Sequence, residues 1–151
     1  PGPAHTEAMM VELTKALVAV VDEGTASPAA IPGVPVAGKT GTAENCDDCK
    51  NYAWFVGFDP RITVGVWLGH DEKKPIGPNE TGTTAALPIW IEFMNAYLDL
   101  RADRENVPDF EAPGNIVFMP VDKTTGEPAA VDAPNVVSEA FLSGTQPIRP
   151  Y

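Results

Sequence analysis

The sequence predicts an α+β fold in which an antiparallel three-stranded meander lies between two helices. Two segments carry apolar residues at helical spacing, and three short runs between them are rich in β-branched and aromatic residues. The second and third runs are separated by Asp59-Pro60-Arg61, a tight turn of the kind that joins antiparallel neighbours. These observations place consecutive strands side by side, with a helix on either face.

The first helix is predicted over residues 6–25, TEAMMVELTKALVAVVDEGT. Its apolar residues recur at the spacing of one helix face, and Gly24 is placed to end it. The members of that face are Met10, Leu13, Leu17, Val20 and Val21. A loop rich in proline, alanine and glycine follows, from residue 25 to residue 35.

Three β-type runs follow the loop: PVAGKTGTA, YAWFVGF and ITVGVWLGH. Both alternating sets of the second run are apolar or small. Ala53, Phe55 and Gly57 form one set, and Trp54, Val56 and Phe58 form the other. Because a strand that is apolar on both sides is covered on both sides, we expect a sheet buried on each face, with Trp54, Trp67 and Trp90 in the core.

The second helix is predicted over residues 86–100, ALPIWIEFMNAYLDL, where Pro88 is acceptable only in the first turn. Its aligned apolar positions are Ile89, Phe93, Ala96 and Leu100. Residues 101–113 are charged and flanked by proline, which is typical of a linker. NIVFMPVD then predicts a short strand before the turn TTGEP, and we expect weak order in the remainder.

Composition argues against a nucleic-acid partner and against a membrane-spanning segment. The chain has 151 residues, with 21 acidic against 10 basic side chains and a formal net charge of -11. Such a chain is repelled by phosphate polyanions, so no nucleic-acid partner is expected. The longest apolar run, residues 16–21, is far shorter than the roughly 20 residues that span a bilayer, and no export signal is visible.

Residues 33–43, GVPVAGKTGTA, fit two unrelated motifs. Gly33, Gly38, Lys39 and Thr40 satisfy the spacing of a nucleotide-binding phosphate loop. That loop needs a buried strand before it and a helix immediately after it. The preceding ASPAAIP is a poor strand, the following GTAENCDDCKN is a poor helix start, and Pro35 removes an N–H donor. Nucleotide binding is therefore the disfavoured alternative.

The second motif is the Lys-Thr-Gly element of serine acyl-transfer enzymes. Lys39 offers a cation to a peptide carboxylate, and Thr40 and Thr42 offer hydroxyl donors beside it. Gly41 lacks Cβ, so a peptide can approach the backbone and pair along the strand. We therefore predict that all four bind substrate and that Lys39 and Thr42 support catalysis, with the Thr42 N–H helping to stabilise an oxyanion.

The wider sequence resembles the closing half of the transpeptidase domain of class A, bifunctional penicillin-binding proteins. The ordered segments that carry the resemblance are GTA, AGKTGTAEN, YAWFVGFDP, TVGVWLGHDEKKPIG, ETG and ALPIWIEFM. VFMPVDKTTGEPA and EAFLSGTQP resemble the tail of Gram-negative members. The resemblance implies part of a penicillin-binding-protein/β-lactamase-like fold over residues 1–104, followed by a tail with a short β segment over residues 105–151.

The resemblance also implies a function. It implies a parent anchored at the periplasmic face of the inner membrane that cross-links peptidoglycan stem peptides, is acylated by β-lactams and needs no cofactor. By carry-over, Lys39, Thr40, Gly41 and Thr42 form the third active-site motif, on the strand that borders the cleft. Glu80, Thr81 and Gly82 fall where the family has a loop near that cleft.

One departure from the family limits this prediction. Members also need Ser-x-x-Lys, whose serine is the nucleophile, and Ser-x-Asn. The serines here are Ser27, Ser138 and Ser143, and none begins either motif. We therefore predict a C-terminal fragment that is inactive without the N-terminal part of its parent and that self-associates through uncovered apolar surface. A noncatalytic module that binds peptides or a partner protein is the alternative.

Cys46 and Cys49 have the spacing of a redox or zinc site, but no second pair of ligands accompanies them. We therefore predict no metal site. A local disulfide and two free thiols both stay open for an exported parent. His70 and Asp71 end a strand and are expected to face solvent.

Overall fold

The computed structural model describes residues 3–46, 49–72 and 74–148. Its helices and strands, in chain order, are α1 (Pro3–Asp22), β1 (Ala37–Cys46), β2 (Cys49–Phe58), β3 (Thr63–Gly69), α2 (Leu87–Asp99), β4 (Ile116–Asp122) and β5 (Val136–Leu142). Strands β1, β2 and β3 form an antiparallel sheet in that order, and β4 pairs with β5. The α+β class and the three-stranded meander are confirmed.

The chain divides into two compact units, Lys15–Phe110 and a second unit of Pro1–Thr14 with Glu111–Tyr151. Within the first unit, one face of the sheet carries the hydrophobic core, where Ala53 and Phe55 of β2 are fully buried. The helical residues in the same cluster are Val21, Leu87, Trp90, Met94 and Leu98. Both helices therefore contribute to a single core on one side of the sheet.

The other face of the sheet is exposed, which corrects the prediction that both faces are covered. Trp54 and Trp67 are each 45% exposed, and Val56 is exposed beside them. Trp67 stacks on Tyr52 at a ring-centroid distance of 5.9 Å. The prediction that Trp54 and Trp67 are core residues is therefore wrong for this chain, whereas Trp90 is fully buried. Strand alternation shows that a face is apolar, but it does not supply an element to cover it.

Helix α2 buries a different face from the one predicted. Ile89, Phe93 and Leu100 are exposed, whereas the buried positions are Leu87, Trp90, Met94 and Leu98. Both sets satisfy helical spacing, so tertiary packing decides between them. Met10 and Leu13 of α1 are likewise exposed, whereas Val21, from the same predicted face, is buried.

Trp90 fixes the orientation of α2. Its ring packs edge-on against Phe55 at a centroid distance of 5.2 Å. Its Nε1 donates hydrogen bonds to the carbonyl oxygens of Gly57 at 3.3 Å and Val64 at 3.2 Å. One side chain thereby joins the helix to two strands by both apolar and polar contacts.

The turn between β2 and β3 is organised by Asp59, a carboxylate that is only 4% exposed. Its Oδ1 accepts hydrogen bonds from the backbone N–H groups of Arg61 at 2.7 Å and Ile62 at 2.8 Å. The predicted tight turn is confirmed, and its aspartate supplies the acceptor for two otherwise free donors.

Asp59→Ala is expected to lower the free energy of unfolding by about 1–3 kcal/mol, because two turn N–H groups lose their acceptor. Asp59→Asn keeps an oxygen at that position and should lose less. Urea denaturation followed by circular dichroism measures both changes. Equal stability of wild type and Asp59→Ala would show that water replaces the carboxylate without cost.

Gly57 lies where the sheet meets the core. A methyl group there would come within 2.7 Å of Phe55 Cε1 and 2.8 Å of Trp90 Cζ2. Gly65 on β3 is a matched control, because the nearest atom to such a methyl group is Val56 Cγ2 at 3.8 Å.

Gly57→Ala is expected to cost about 1–3 kcal/mol of stability through overpacking. Gly65→Ala should stay within about 0.5 kcal/mol of wild type or gain slightly, since it also restricts the unfolded chain. Thermal unfolding of the two variants in parallel measures the difference. Equal midpoints would contradict the close packing of Trp90 on Gly57.

Asp103 joins the segment after α2 to the turn after β2. Its carboxylate accepts hydrogen bonds from Arg101, at 2.9 and 3.1 Å, and from Arg61. The bonds from Arg101 and then from Arg61 hold the pKa of Asp103 well below its usual range. The carboxylate is therefore ionised at neutral pH. Its contribution to stability is fully present above the ordinary pKa of aspartate and is lost progressively as the pH falls from there through the lowered pKa.

In the second unit, the β4–β5 hairpin pairs residues from Ile116↔Leu142 to Asp122↔Val136. Glu7 Oε2 accepts a hydrogen bond from Asn115 Nδ2 at 2.7 Å, and Glu12 Oε1 accepts one from the Ala140 N–H. Strand β4 coincides with the predicted strand, whereas β5 lies where weak order was expected. The boundary between residues 104 and 105 stays a prediction. In the described residues, no helix is long and apolar enough to cross a membrane.

Candidate functional site

The candidate site lies on β1, which is an edge strand of the described sheet because it pairs only with β2. Lys39, Thr40, Gly41 and Thr42 occupy the middle of this strand. The chain continues extended beyond Thr40 and begins no helix there. The phosphate-loop interpretation is therefore wrong, since that loop needs a helix directly after its lysine.

The register of β1 on β2 separates the four residues by face, because directly opposed residues of an antiparallel pair share a face. Lys39 lies opposite Val56 and Gly41 opposite Trp54, on the exposed aromatic face. Thr40 lies opposite Phe55 and Thr42 opposite Ala53, on the core side. The Lys39 side chain thus leaves the strand on one face, and the side chains of the two threonines leave it on the other.

The Lys39 ammonium group is exposed and folds back onto its own strand. Its Nζ donates to the Thr40 carbonyl oxygen at 2.8 Å and to Thr40 Oγ1 at 3.4 Å. Both bonds are exposed to solvent and join neighbouring residues, so a competing anion can replace them at little cost.

A π-helical turn, Gly82–Ala86, leads directly into α2 and contacts the site. The Gly82 N–H donates a hydrogen bond to Thr42 Oγ1 at 3.1 Å. Thr81 and Thr84 form a reciprocal capping box at the start of the turn: the Thr84 N–H donates to Thr81 Oγ1 at 3.2 Å, and the Thr81 N–H donates to Thr84 Oγ1 at 2.7 Å. The turn therefore fastens the N-terminal end of α2 to β1.

Gly82 approaches the sheet more closely than any other residue type allows. A Cβ at this position would lie 2.5 Å from the Trp54 carbonyl oxygen and 2.9 Å from the Gly41 carbonyl oxygen. Backbone atoms do not move aside as a flexible side chain does, so the contact requires glycine.

Sequence reasoning placed Glu80, Thr81 and Gly82 in a loop and missed the hydrogen bond from Gly82 to Thr42. The Thr-x-x-Thr spacing of Thr81 and Thr84 is the signal that could have indicated a helical start at this point, although threonine is not the usual third residue of a capping box. The contact with β1 has no local sequence signal, because it joins residues 40 positions apart.

The other candidates are not gathered at β1. Ser27 begins a short 3-10 turn, Ser138 lies in β5, and His70 follows β3 at the far edge of the sheet. The side chains of Cys46 and Cys49, for which a disulfide or two free thiols were considered from sequence, lie outside the described residues.

An α+β fold and a polar strand at the edge of a helix-backed sheet define the structural class of the chain. Sequence comparison then supplies its family. A sequence profile described as the penicillin binding protein transpeptidase domain matches residues 5–93. The chain belongs to this family, which confirms the resemblance carried by its ordered motifs.

Several relatives are proteins named penicillin-binding protein 1A. Those of Aquifex aeolicus, Rickettsia bellii and Pseudomonas aeruginosa are 42%, 38% and 35% identical to the chain over 134, 131 and 136 residues. The aligned regions cover 87%, 86% and 89% of this chain but 17%, 15% and 16% of those proteins. The chain thus spans less than a fifth of the length of these relatives.

One solved structure aligns with part of the chain. It is the D,D-transpeptidase domain of a peptidoglycan glycosyltransferase from Eggerthella lenta, with a TM-score of 0.41 and 33% sequence identity over 58% of this chain and 19% of that one.

Proposed function

We propose that this chain contributes the substrate-binding edge strand of a peptidoglycan D,D-transpeptidase. Lys39, Thr40, Gly41 and Thr42 are the residues that meet the stem peptide or a β-lactam. The observation that carries the proposal is that all four lie in the middle of an extended strand at an edge of the described sheet.

An edge strand of this kind suits a peptide ligand for a backbone reason. Alternate residues of an antiparallel edge strand turn both their N–H and C=O groups away from the neighbouring strand. An extended peptide can therefore pair along the edge, and Gly41 leaves room for its approach. The Thr42 N–H is the donor we assign to the oxygen that becomes negatively charged during acyl transfer.

The side chains complement a carboxylate at the end of such a peptide. The ammonium group of Lys39 provides the positive charge, and the hydroxyl groups of Thr40 and Thr42 share one face of the strand. Charge-assisted hydrogen bonds of this type are stronger than neutral ones. This arrangement is consistent with Lys39 and Thr42 assisting catalysis without acting as the nucleophile.

The nucleophile must come from elsewhere, because no serine of this sequence begins Ser-x-x-Lys. We therefore propose that the chain is inactive alone and works with an N-terminal part of a membrane-anchored parent, at the periplasmic face of the inner membrane. The exposed aromatic face of Trp54, Val56 and Trp67 supports a further expectation, that the isolated chain self-associates. Light scattering that shows a clean monomer at high concentration would count against it.

Labelling with a fluorescent penicillin tests the proposal. The 151-residue chain should not be labelled, because acylation needs the serine oxygen. A chain extended at its N-terminus to include Ser-x-x-Lys and Ser-x-Asn should be labelled, and excess unlabelled penicillin should block the signal. Covalent labelling of the short chain alone would overturn the fragment assignment.

A noncatalytic peptide-binding module is the second candidate, favoured by the same missing serine motif. The coding sequence upstream of residue 1 separates the two. If the naturally extended chain carries no Ser-x-x-Lys and takes no penicillin label, while it still binds a D-Ala-D-Ala peptide saturably, the module is correct and the transpeptidase assignment is not.

A further inference from the structure

We infer that Gly82 is a positioning residue that holds the Thr42 hydroxyl ready to donate its proton to an acceptor oxygen of the ligand. The inference rests on the proposed function of β1 as the substrate strand. It adds to that proposal a residue outside the strand, 40 positions along the chain from Thr42, which acts through Thr42 and not on the ligand itself.

The direction of one hydrogen bond carries the inference. A hydroxyl group has a single proton and two lone pairs, whereas a backbone N–H can only donate. Because the Gly82 N–H donates to Thr42 Oγ1, one lone pair of that oxygen is engaged and its proton is directed elsewhere. Among the described residues, the Thr42 hydroxyl has no acceptor for this proton, and its side chain is exposed.

The turn that supplies the Gly82 N–H is itself held in place. The first N–H groups of a helical segment have no partner within it and need acceptors from outside. The Thr81 and Thr84 N–H groups are satisfied by the capping box, and the Ala85 N–H donates to the Thr81 carbonyl oxygen at 2.9 Å. The Gly82 N–H points toward β1 and donates its hydrogen bond to Thr42 Oγ1.

Close packing keeps this geometry from drifting. Gly82 rests on the backbone of both β1 and β2, at Gly41 and Trp54, where a Cβ would overlap carbonyl oxygens. The distance from Gly82 to Thr42 is therefore fixed by contacts between backbone atoms and does not depend on flexible side chains. Such a contact orients a hydroxyl group before any ligand arrives, which lowers the entropic cost of binding.

Amide hydrogen exchange in the ¹⁵N-labelled 151-residue chain tests the hydrogen bond. Thr42→Val removes the acceptor at nearly constant shape, so the Gly82 amide should exchange about 2- to 12-fold faster and change its chemical shift. Thr42→Ser should restore both values. Thr40→Val is the matched control. It removes a hydroxyl group from the same face of β1, but this hydroxyl group is not the one that accepts the hydrogen bond from the Gly82 N–H. An unchanged Gly82 amide in Thr42→Val overturns the inference.

Titration with an N-acetylated peptide ending in D-Ala-D-Ala tests the role in binding. The wild-type chain should show saturable shifts at residues 39–42 and at Gly82, Thr42→Val should bind roughly 2- to 12-fold more weakly, and Thr42→Ser should bind as wild type does. Equal affinity of wild type and Thr42→Val overturns the positioning role and removes the Thr42 hydroxyl from the proposed contacts, but leaves the roles of Lys39 and of the strand backbone standing. No peptide-induced shift in the wild type is a distinct result, which overturns the proposed function together with this inference.

Discussion

Trp90→Ala is expected to lower the free energy of unfolding by about 3–5 kcal/mol, the largest change expected of any single substitution considered. Trp90 is fully buried and packs against Phe55 in the only hydrophobic core that the described part of Lys15–Phe110 shows. Truncation removes that contact, leaves a cavity, and frees the carbonyl oxygens of Gly57 and Val64 from the indole N–H. Since small domains are stable by only about 5–15 kcal/mol, the variant should be largely unfolded at modest urea concentrations.

Two further variants separate the causes of this loss. Trp90→Phe keeps most of the apolar contact but removes the indole donor, so it should cost less than the alanine change. Trp67→Ala is the matched control, because it removes the same side chain from a position that is 45% exposed, and we expect a much smaller effect. Urea denaturation followed by the helical circular dichroism signal measures all three. Equal destabilisation by Trp67→Ala and Trp90→Ala would contradict the single-sided core.

The sequence was sufficient for features that depend on neighbouring residues. The turn at Asp59, the three strands and their antiparallel order follow from turn chemistry and β-type runs a few residues long. Helix α2 begins within one residue of its predicted start, since Pro88 is tolerated only in the first turn of a helix.

Which face of each element is buried could not be read in the same way. In α2, Ile89, Phe93 and Leu100 satisfy helical spacing as well as Trp90, Met94 and Leu98 do, and only the site on the sheet that fits the indole ring distinguishes them. The aromatic face of β2 raises the same difficulty. The alternating pattern of β2 shows that the face of Trp54 is apolar. Whether that face is exposed depends on other elements of the fold, which no local pattern specifies.

The candidate site shows the same division between local and distant information. Lys39 to Thr42 could be placed on a strand from sequence, because the flanking segments excluded a helix after the lysine. The contact from Gly82 could not, because its cause is the distance between two backbones that are far apart in sequence. A glycine can precede a helix for many reasons. Only the packed structure shows that Gly82 is needed because it lies so close to β1.

Lys39→Ala is expected to slow acylation by a fluorescent penicillin roughly 10- to 150-fold in a chain extended to include Ser-x-x-Lys. The figure corresponds to the loss of a hydrogen bond to a charged group, about 1.5–3 kcal/mol. Stability should stay within about 0.5 kcal/mol of wild type, because Lys39 is exposed and its recorded bonds reach only the adjacent Thr40. A selective loss of rate without a loss of fold is therefore the expected signature.

Lys74→Ala is the matched control for this variant. Lys74 is also exposed, so its removal changes the net charge by the same amount without touching β1. If the rate depended only on the effect of net charge on the approach of an anionic penicillin, both lysine variants would slow it equally, and added salt would reduce the difference from wild type. Slowing confined to Lys39→Ala instead requires a contact at the edge of β1, and equal rates for the two variants would remove Lys39 from the site.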